Sequence, residues 1–215
     1  MIINILAGGP MAYLPNLHDY EGSDSIWVGV DRGVFTLLSM GIKPIYAFGD
    51  FDSVSKEELE IVESEVHHLH KYLPEKDETD LELALKWSMK QSADKINIFG
   101  ATGGRLDHFF ANVQLLSQAF SDNVSCEMSI IDQKNVIFLK EAGTYTLPKL
   151  NDKKYISFLP LTSTIEKLTL QGFKYSLIDR NISIGSTLCI SNELISNYGT
   201  YSFSGGILIV VRSQD

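Results

Sequence analysis

The side chains of this chain that could do chemistry are concentrated in a few short segments rich in aspartate and glycine. The segment Gly49-Asp50-Phe51-Asp52-Ser53 follows the apolar run Ile45–Phe48, and in extended backbone Asp50 and Asp52 would project to the same side. Two adjacent carboxylates repel each other unless a cation lies between them, and Mg²⁺ prefers oxygen ligands of this kind. The segment therefore predicts a magnesium site, with a solvated acidic turn as the alternative.

A second acidic segment, Lys76-Asp77-Glu78-Thr79-Asp80, opens a predicted helix. Thr79 and Glu82 have the spacing of a capping box, in which the threonine side chain satisfies a backbone N–H group of the first helical turn. Asp77 and Asp80 would then only complement the positive end of the helix dipole. The alternative is that an acid of this segment joins a metal cluster.

A glycine-rich segment, Gly100–His108, follows a predicted strand and leads into a predicted helix. Backbone N–H groups at such a turn can receive an anion, and glycine lets the main chain approach a phosphate closely. Three polar residues that share one helix face, and would form a cleft wall, are Arg105, His108 and Asn112. The neighbouring apolar stripe is predicted to be buried and consists of Leu106, Phe109, Phe110, Val113, Leu116 and Phe120. The turn matches neither a Walker loop nor G-x-G-x-x-G, so only its strand–helix context indicates phosphate binding.

Several acids of these segments fall in turns next to predicted strands. Asp31-Arg32-Gly33 adds another acid directly after the apolar run Ile26–Val30. Open α/β sheets bind ligands at the carboxyl ends of their strands, where such turns lie together in space. The acids predicted to lie at this edge are Asp31, Asp50, Asp52, Asp80 and Asp107. Together they indicate metal-dependent chemistry on a phosphate compound.

Two regions with different periodicity must position these segments. The first ~130 residues alternate short apolar runs with helical patterns, which predicts a mainly parallel sheet with flanking helices. The remainder contains short strand-like runs separated by Gly, Asn, Ser or Pro, which predicts a smaller all-β, sandwich-like domain. We therefore expect an α/β domain over residues 1–133 and a β domain over residues 134–215.

Composition excludes some classes of function. The formal net charge of −9 argues against binding to nucleic acid, which requires a basic surface. No apolar run approaches the ~20 residues of a membrane span, and the N-terminus lacks the basic flank of a signal peptide. The sequence therefore predicts a cytoplasmic protein that binds neither nucleic acid nor membranes.

Taken in order along the chain, these segments resemble thiamin pyrophosphokinases. In the first region the resemblance is carried by Asp31-Arg32-Gly33, Gly41-Ile42-Lys43-Pro44, Gly49–Ser53, Lys76–Asp80, and Gly103–His108 with Asn112. In the second region it is carried by Ser191-Asn192-Glu193 and Gly205-Gly206. Each motif is unspecific when taken singly, but the ordered set is specific and spans most of the chain.

The resemblance implies an α/β nucleotide-binding catalytic domain and a β-sandwich, with transfer of the pyrophosphoryl group of ATP to thiamin to give AMP and thiamin diphosphate. It implies Mg²⁺ at Asp50, Asp52 and Asp80, and Asp77 or Asp52 as the acceptor of the thiamin hydroxyl proton. The ATP-binding residues that it implies are Asp31, Lys76, Thr79, Gly103, Arg105, Asp107, His108 and Asn112. It also implies a homodimer with active sites at the subunit interface.

In the second region, the resemblance implies that Ser191 and Asn192 help to form the thiamin pocket. Because both tryptophans fall in the first region, an aromatic side chain that stacks on thiamin would be Tyr198, Tyr201 or Phe203. Two other functions stay open from the residues themselves. One is a metal-dependent nucleotide phosphohydrolase, and the other is a non-catalytic nucleotide-binding module whose β domain binds a protein partner.

Overall fold

The computed structural model describes residues 1–51, 55–71, 75, 77–121 and 126–215, so Asp52 and Lys76 lie outside the described residues. The described residues form two compact units, Met1–Gln133 and Lys134–Asp215. In these parts of the chain no helix is long and apolar enough to cross a membrane.

The first unit is built on a parallel sheet. Its strands, as far as the chain is described, are β1 (Ile2–Leu6), β2 (Ser25–Val30), β3 (Tyr46–Gly49), β4 (His68–Lys71), β5 (Lys95–Phe99) and β6 (Glu127–Ile131). They pair in the order β6-β5-β1-β2-β3-β4, and every pair is parallel. The central strands are apolar along most of their length because both faces of a parallel sheet are covered.

Helices connect these strands. They are α1 (Arg32–Ser39), α2 (Lys56–Glu65), α3 (Asp80–Met89), α4 (Leu106–Leu115) and α5 (Gln118–Ser121), with short 3₁₀ helices at Met11–Tyr13 and Leu17–Tyr20. The predicted parallel sheet with flanking helices is therefore confirmed. The predicted buried stripe of α4 is partly wrong, because Leu106 and Phe110 are 71% and 62% exposed, whereas Val113 and Leu116 are buried.

Strand register places the site segments side by side. In β1, Leu6 pairs with Gly29 of β2 and with Phe99 of β5, and Val30 of β2 pairs with Phe48 of β3. The carboxyl ends of these parallel strands consequently lie along one edge of the sheet. The turns that follow them bring the acidic and glycine-rich segments to that edge.

The second unit consists of antiparallel strands. They are β7 (Asn135–Lys140), β8 (Gly143–Pro148), β9 (Tyr155–Pro160), β10 (Thr164–Gln171), β11 (Leu177–Ser183), β12 (Asn192–Glu193), β13 (Tyr198–Phe203) and β14 (Leu208–Ser213). One sheet has the order β12-β9-β14-β7, and the other has the order β11-β10-β13-β8. Side chains from both sheets share one apolar core, in which Phe158 packs 5.5 Å from Phe173 and 5.1 Å from Tyr201 between ring centroids. The predicted all-β, sandwich-like domain is confirmed.

Candidate active site

Three aspartates converge at the carboxyl edge of the parallel sheet. Asp31 directly follows β2, Asp50 directly follows β3, and Asp80 is the first residue of α3. Among the described residues, these three each offer a carboxylate oxygen, and the three oxygen atoms all lie within 4.8 Å of one another. Each of the three residues is partly buried.

Local backbone geometry allows this approach. The N–H group of Asp31 donates to the carbonyl oxygen of Phe48 at 2.9 Å, which ties the ends of β2 and β3 together. Asp31 has a φ of 49°, an uncommon value for a residue with a side chain. A Cβ atom at Gly49 would lie 2.4 Å from Oδ1 of Asp31, so a side chain at this position would displace the carboxylate of Asp31.

The turn after Gly49 differs from the extended geometry assumed for Asp50 and Asp52. Phe51 has a φ of 57°, and its side chain is buried in the cluster that includes Val34 and Ala47. Strict alternation of side chains therefore ends at Phe51, and Asp52 itself lies outside the described residues. The structure instead brings Asp31, predicted as a nucleotide-binding residue, into the acidic cluster.

The donor set of the cluster suits a hard divalent cation. Three negatively charged carboxylates this close repel one another, and a bound cation would remove that repulsion. Mg²⁺ prefers oxygen ligands and is commonly bound in proteins through carboxylates together with substrate phosphates. Asp31, Asp50 and Asp80 therefore fit the magnesium ion that the sequence predicts.

The acidic cluster lies in a cleft of about 820 Å³ in the first unit. Small-molecule sites commonly have volumes of ~300–1,000 Å³, so the cleft can accept a nucleotide. The predicted residues that line it are Asp31, Asp50, Thr79, Asp80, Arg105, His108 and Asn112. Gly103 and Asp107 are exposed residues next to this lining, and Asp77 is exposed at the start of the segment before α3.

A second glycine-rich turn lines the cleft and was not predicted as part of the site. Gly8 and Gly9 follow β1, and the N–H group of Gly9 donates to the carbonyl oxygen of Gly100 at 2.8 Å. The turns after β1 and β5 thus pack backbone against backbone. The available sequence signal was a glycine pair immediately after the first strand.

The start of α4 supplies a cation at the cleft. The Nε and Nη2 atoms of Arg105 donate to the carboxylate of Asp107 at 3.1 and 2.6 Å. These hydrogen bonds, followed by one from the N–H group of His108, lower the pKa of Asp107 to about 2. Asp107 therefore orients Arg105, and Asn112 Nδ2 ties the same helix to the carbonyl oxygen of Ala101 at 3.1 Å.

Thr79 both caps a helix and lines the cleft. Its Oγ1 atom accepts a hydrogen bond from the N–H group of Glu82 at 3.2 Å, so it caps α3 as the sequence suggested. It also lines the cleft beside Asp80 and Glu78, and Glu78 was not predicted as a site residue. The carboxylate of Glu82 accepts a hydrogen bond from Gln118 at 2.9 Å.

Comparison with known proteins agrees with this geometry. The family described as "Thiamin pyrophosphokinase, catalytic domain" matches residues 17–128, and "Thiamin pyrophosphokinase, vitamin B1 binding domain" matches residues 144–208. The chain belongs to the thiamin pyrophosphokinase family. The family, the enzyme class and the pyrophosphokinase function predicted from the sequence are thereby confirmed.

Bacterial relatives of this family are similar over the whole chain. The thiamine pyrophosphokinase of Bacillus subtilis (strain 168) is 49% identical over 213 residues, which cover 99% of each chain. A crystal structure of thiamine pyrophosphokinase from Bacillus subtilis superposes with a TM-score of 0.93 at 47% identity, covering 100% of both chains. That of thiamin pyrophosphokinase from Geobacillus thermodenitrificans superposes with a TM-score of 0.91 at 49% identity, covering 100% of this chain and 98% of the other.

Within the pyrophosphokinase chain, the two residues predicted for the thiamin pocket have different environments. Asn192 is buried, and its side chain accepts from the N–H group of Tyr175 at 3.0 Å and donates to the carbonyl oxygen of the same residue at 2.8 Å. Ser191 is exposed and has a φ of 56°. The side chain of Asn192 therefore holds the backbone together, whereas that of Ser191 is accessible to a ligand.

The aromatic residues predicted to stack on thiamin also differ. Tyr201 and Phe203 are buried in the apolar core of the second unit, so their rings are not accessible to a ligand. Tyr198 is 63% exposed. Of the three predicted residues, only Tyr198 is available for stacking.

Proposed function

We propose that the cleft of the first unit binds ATP together with Mg²⁺, and that this cleft is where the pyrophosphoryl group of ATP is transferred to the hydroxyl group of thiamin. The products are thiamin diphosphate and AMP. The observation that carries the proposal is the convergence of Asp31, Asp50 and Asp80 within 4.8 Å in a family member. An acidic cluster in a nucleotide-sized cleft can hold a divalent cation, and a triphosphate supplies further oxygen ligands.

Asp31, Asp50 and Asp80 would hold the ion, with Asp52 as a further predicted ligand. Bound there, Mg²⁺ would offset the negative charge of the phosphates during transfer. The carboxylates would therefore act by fixing the position of the phosphates, not by forming a covalent bond. Reactions of this kind depend mainly on alignment and neutralisation of charge.

Arg105 would hold a phosphate oxygen on the other wall of the site. A guanidinium group has five N–H donors, and only part of them is used by Asp107. The ion pair with Asp107 restricts the side chain of Arg105, so less conformational freedom is lost when ATP binds. His108, and Lys76 as predicted from the sequence, would add donors to the phosphates. The proton acceptor for thiamin stays a prediction, either Asp77 or Asp52.

We further propose that Ser191 and Tyr198 contribute to the thiamin pocket and that Asn192 supports them. Ser191 has a positive φ, and such strained residues are concentrated at ligand sites. Asn192, the adjacent residue, fixes the local backbone through Tyr175. A side chain that makes these bonds is a positioning residue for the pocket.

A homodimer is proposed from the surface of the second unit. Several large apolar side chains there are exposed, including Ile178, which is 80% exposed. The others are Tyr175, Ile184, Leu188, Ile190, Ile195 and Tyr198. Exposed apolar side chains can mark a protein interface, and a dimer with active sites at the subunit interface would bury them. The protein is also proposed to be cytoplasmic.

The experiment that tests the proposed function measures AMP and thiamin diphosphate formed from ATP, with thiamin and Mg²⁺ each omitted in turn. We expect both products in equal amounts only when thiamin and Mg²⁺ are present. ATP consumption that does not need thiamin would instead indicate a phosphohydrolase. ATP binding without turnover would indicate a nucleotide-binding module.

A further inference from the structure

A short 3₁₀ helix, Met11–Tyr13, is adjacent in sequence to residues that line the cleft. It follows directly after Gly8, Gly9 and Pro10, which line the cleft. Met11 and Tyr13 are 54% and 48% exposed, although both are large and mainly apolar. Exposed apolar surface next to a ligand cleft is available for contact with a ligand.

Two hydrogen bonds fix the backbone of Tyr13, and its ring packs on a glycine. Its N–H group donates to the carbonyl oxygen of Pro10 at 3.1 Å, and its carbonyl oxygen accepts from the N–H group of Gln133 at 2.7 Å. The ring packs directly on Gly103, because a Cβ atom at Gly103 would lie 2.3 Å from Cδ2 of Tyr13. A side chain at position 103 would displace the ring.

The position of Gly103 connects this ring to the cleft. Gly103 lies between Thr102 and Gly104, and both of these residues line the cleft. Among the described lining residues there is no Phe, Tyr or Trp, and His108 is the one aromatic side chain. If the phosphates of a nucleotide bind at the acids, the large aromatic surface available to its base is therefore the ring of Tyr13, beside the cleft.

We propose that Tyr13, flanked by Met11, is the surface on which the adenine ring of ATP stacks. This inference rests on the proposed function, because it takes ATP to be the ligand of the cleft. Bases stack on aromatic side chains through their π-faces, and a pre-positioned ring loses little conformational freedom on binding. Tyr13 would thereby set the affinity for the nucleoside part, while the acids and Arg105 bind the phosphates.

Three proteins, the wild type, Tyr13→Ala and Tyr13→Phe, test this role. Calorimetry with Mg²⁺–ATP gives the affinity for the whole nucleotide, and Mg²⁺–tripolyphosphate gives the affinity for phosphates without a base. From the usual strength of base–aromatic stacking, we expect Tyr13→Ala to weaken ATP binding by about 10- to 100-fold. Tripolyphosphate binding should be unchanged, and Tyr13→Phe should bind ATP like the wild type.

Steady-state kinetics provide a second readout on the same variants. Because stacking is present before and during transfer, Tyr13→Ala should raise KM for ATP and leave kcat nearly unchanged. The inference is overturned if Tyr13→Ala binds ATP as tightly as the wild type, an outcome that would favour His108 as the stacking ring. It is also overturned if Tyr13→Ala weakens the binding of ATP and of tripolyphosphate equally, because the ring would then act only by shaping the Gly103 turn.

The binding experiment separates this inference from the proposed function. If the wild type binds ATP but forms no thiamin diphosphate, the proposed function fails and the result for Tyr13 still stands. If the wild type forms thiamin diphosphate and Tyr13→Ala keeps the affinity for ATP, the inference fails and the function stands. The melting temperatures of the variants show that neither result comes from unfolding.

Discussion

The two units place their candidate functional residues in different surroundings. In the first unit, Asp31 and Asp50 directly follow buried strands and Asp80 is the first residue of α3. Carboxylate oxygens of the three residues lie within 4.8 Å of one another. In the second unit, the accessible candidate residues are apolar, such as Ile178, or stand on strained backbone, such as Ser191. The first arrangement suits a charged, metal-binding ligand, and the second suits contact with another surface and with an organic ring.

The difference follows from the two kinds of sheet. A parallel sheet is covered on both faces, so polar side chains can converge only at the ends of its strands. An antiparallel sandwich leaves the outer face of each sheet open, so ligands and partner subunits can meet side chains along a strand. Substitutions in the two units should therefore impair different properties of the protein, and the largest effect on activity is expected in the first unit.

Asp50→Asn should nearly abolish transfer without unfolding the chain. Removal of groups that only support metal ligands commonly costs ~10–100-fold in activity, so loss of a ligand should cost more than about 100-fold. The measurements are thiamin diphosphate formation over a range of Mg²⁺ concentrations and the melting temperature.

The matched control for Asp50→Asn is Asp24→Asn, which changes an exposed aspartate that pairs with the N-terminus at 2.9 Å. An exposed pair of this kind contributes little to stability, so activity should be normal. Normal activity of a folded Asp50→Asn protein would remove Asp50 from the metal site.

Ile178→Glu should dissociate the proposed dimer. A charge on an apolar interface remains unpaired when the surfaces meet, and this cost disfavours association. We expect light scattering to give half the mass of the wild type, with transfer reduced because the active sites are proposed to lie at the interface. Ile61→Glu changes an exposed isoleucine on α2 and should leave the mass unchanged. A wild type that is itself monomeric would contradict the dimer.

Asn192→Ala should lower the stability of the second unit. The substitution removes the hydrogen bonds to both backbone groups of Tyr175 and leaves these groups unsatisfied. The expected loss is about 3 kcal/mol of the free energy of unfolding, measured by denaturant titration. Asn197→Ala, at an exposed position, is the control. Unchanged stability with a raised KM for thiamin would show instead that Asn192 contacts the substrate.

Asp107→Asn should have the smallest effect of these substitutions, a loss of stability whose size depends on pH. Because the pKa of Asp107 falls from its ordinary value of 3.8 to about 2 in the folded chain, its charge stabilises the fold above about pH 4. This contribution is lost as the pH falls through about 2. The difference in melting temperature between wild type and Asp107→Asn should therefore narrow over that range. A difference that stays constant would show that the charge is not responsible.

Sequence patterns predicted the first unit well because its strands are short apolar runs bounded by glycine or aspartate. The predicted strand ends placed Asp31, Asp50 and the glycine-rich turn after β5 at one edge. The second unit is harder to predict: its sequence has a strand-like run at Thr187–Ile190, where the structure has no strand. Strands β11 and β13 lack a clear strand pattern in the sequence, because polar residues interrupt the first and glycine and serine interrupt the second.

Local pattern therefore predicted the fold class and the segments from which the candidate site is built, because strand periodicity and turn chemistry depend on neighbouring residues. The resemblance of the ordered motifs predicted the family. Three-dimensional packing was needed to select Asp31 as a member of the acidic cluster, since its φ of 49° and the space at Gly49 depend on two adjacent strands. Packing was also needed to place Tyr13 on Gly103 and to leave Leu106 and Phe110 exposed. Contacts between residues far apart in the chain leave no periodic signal in the sequence.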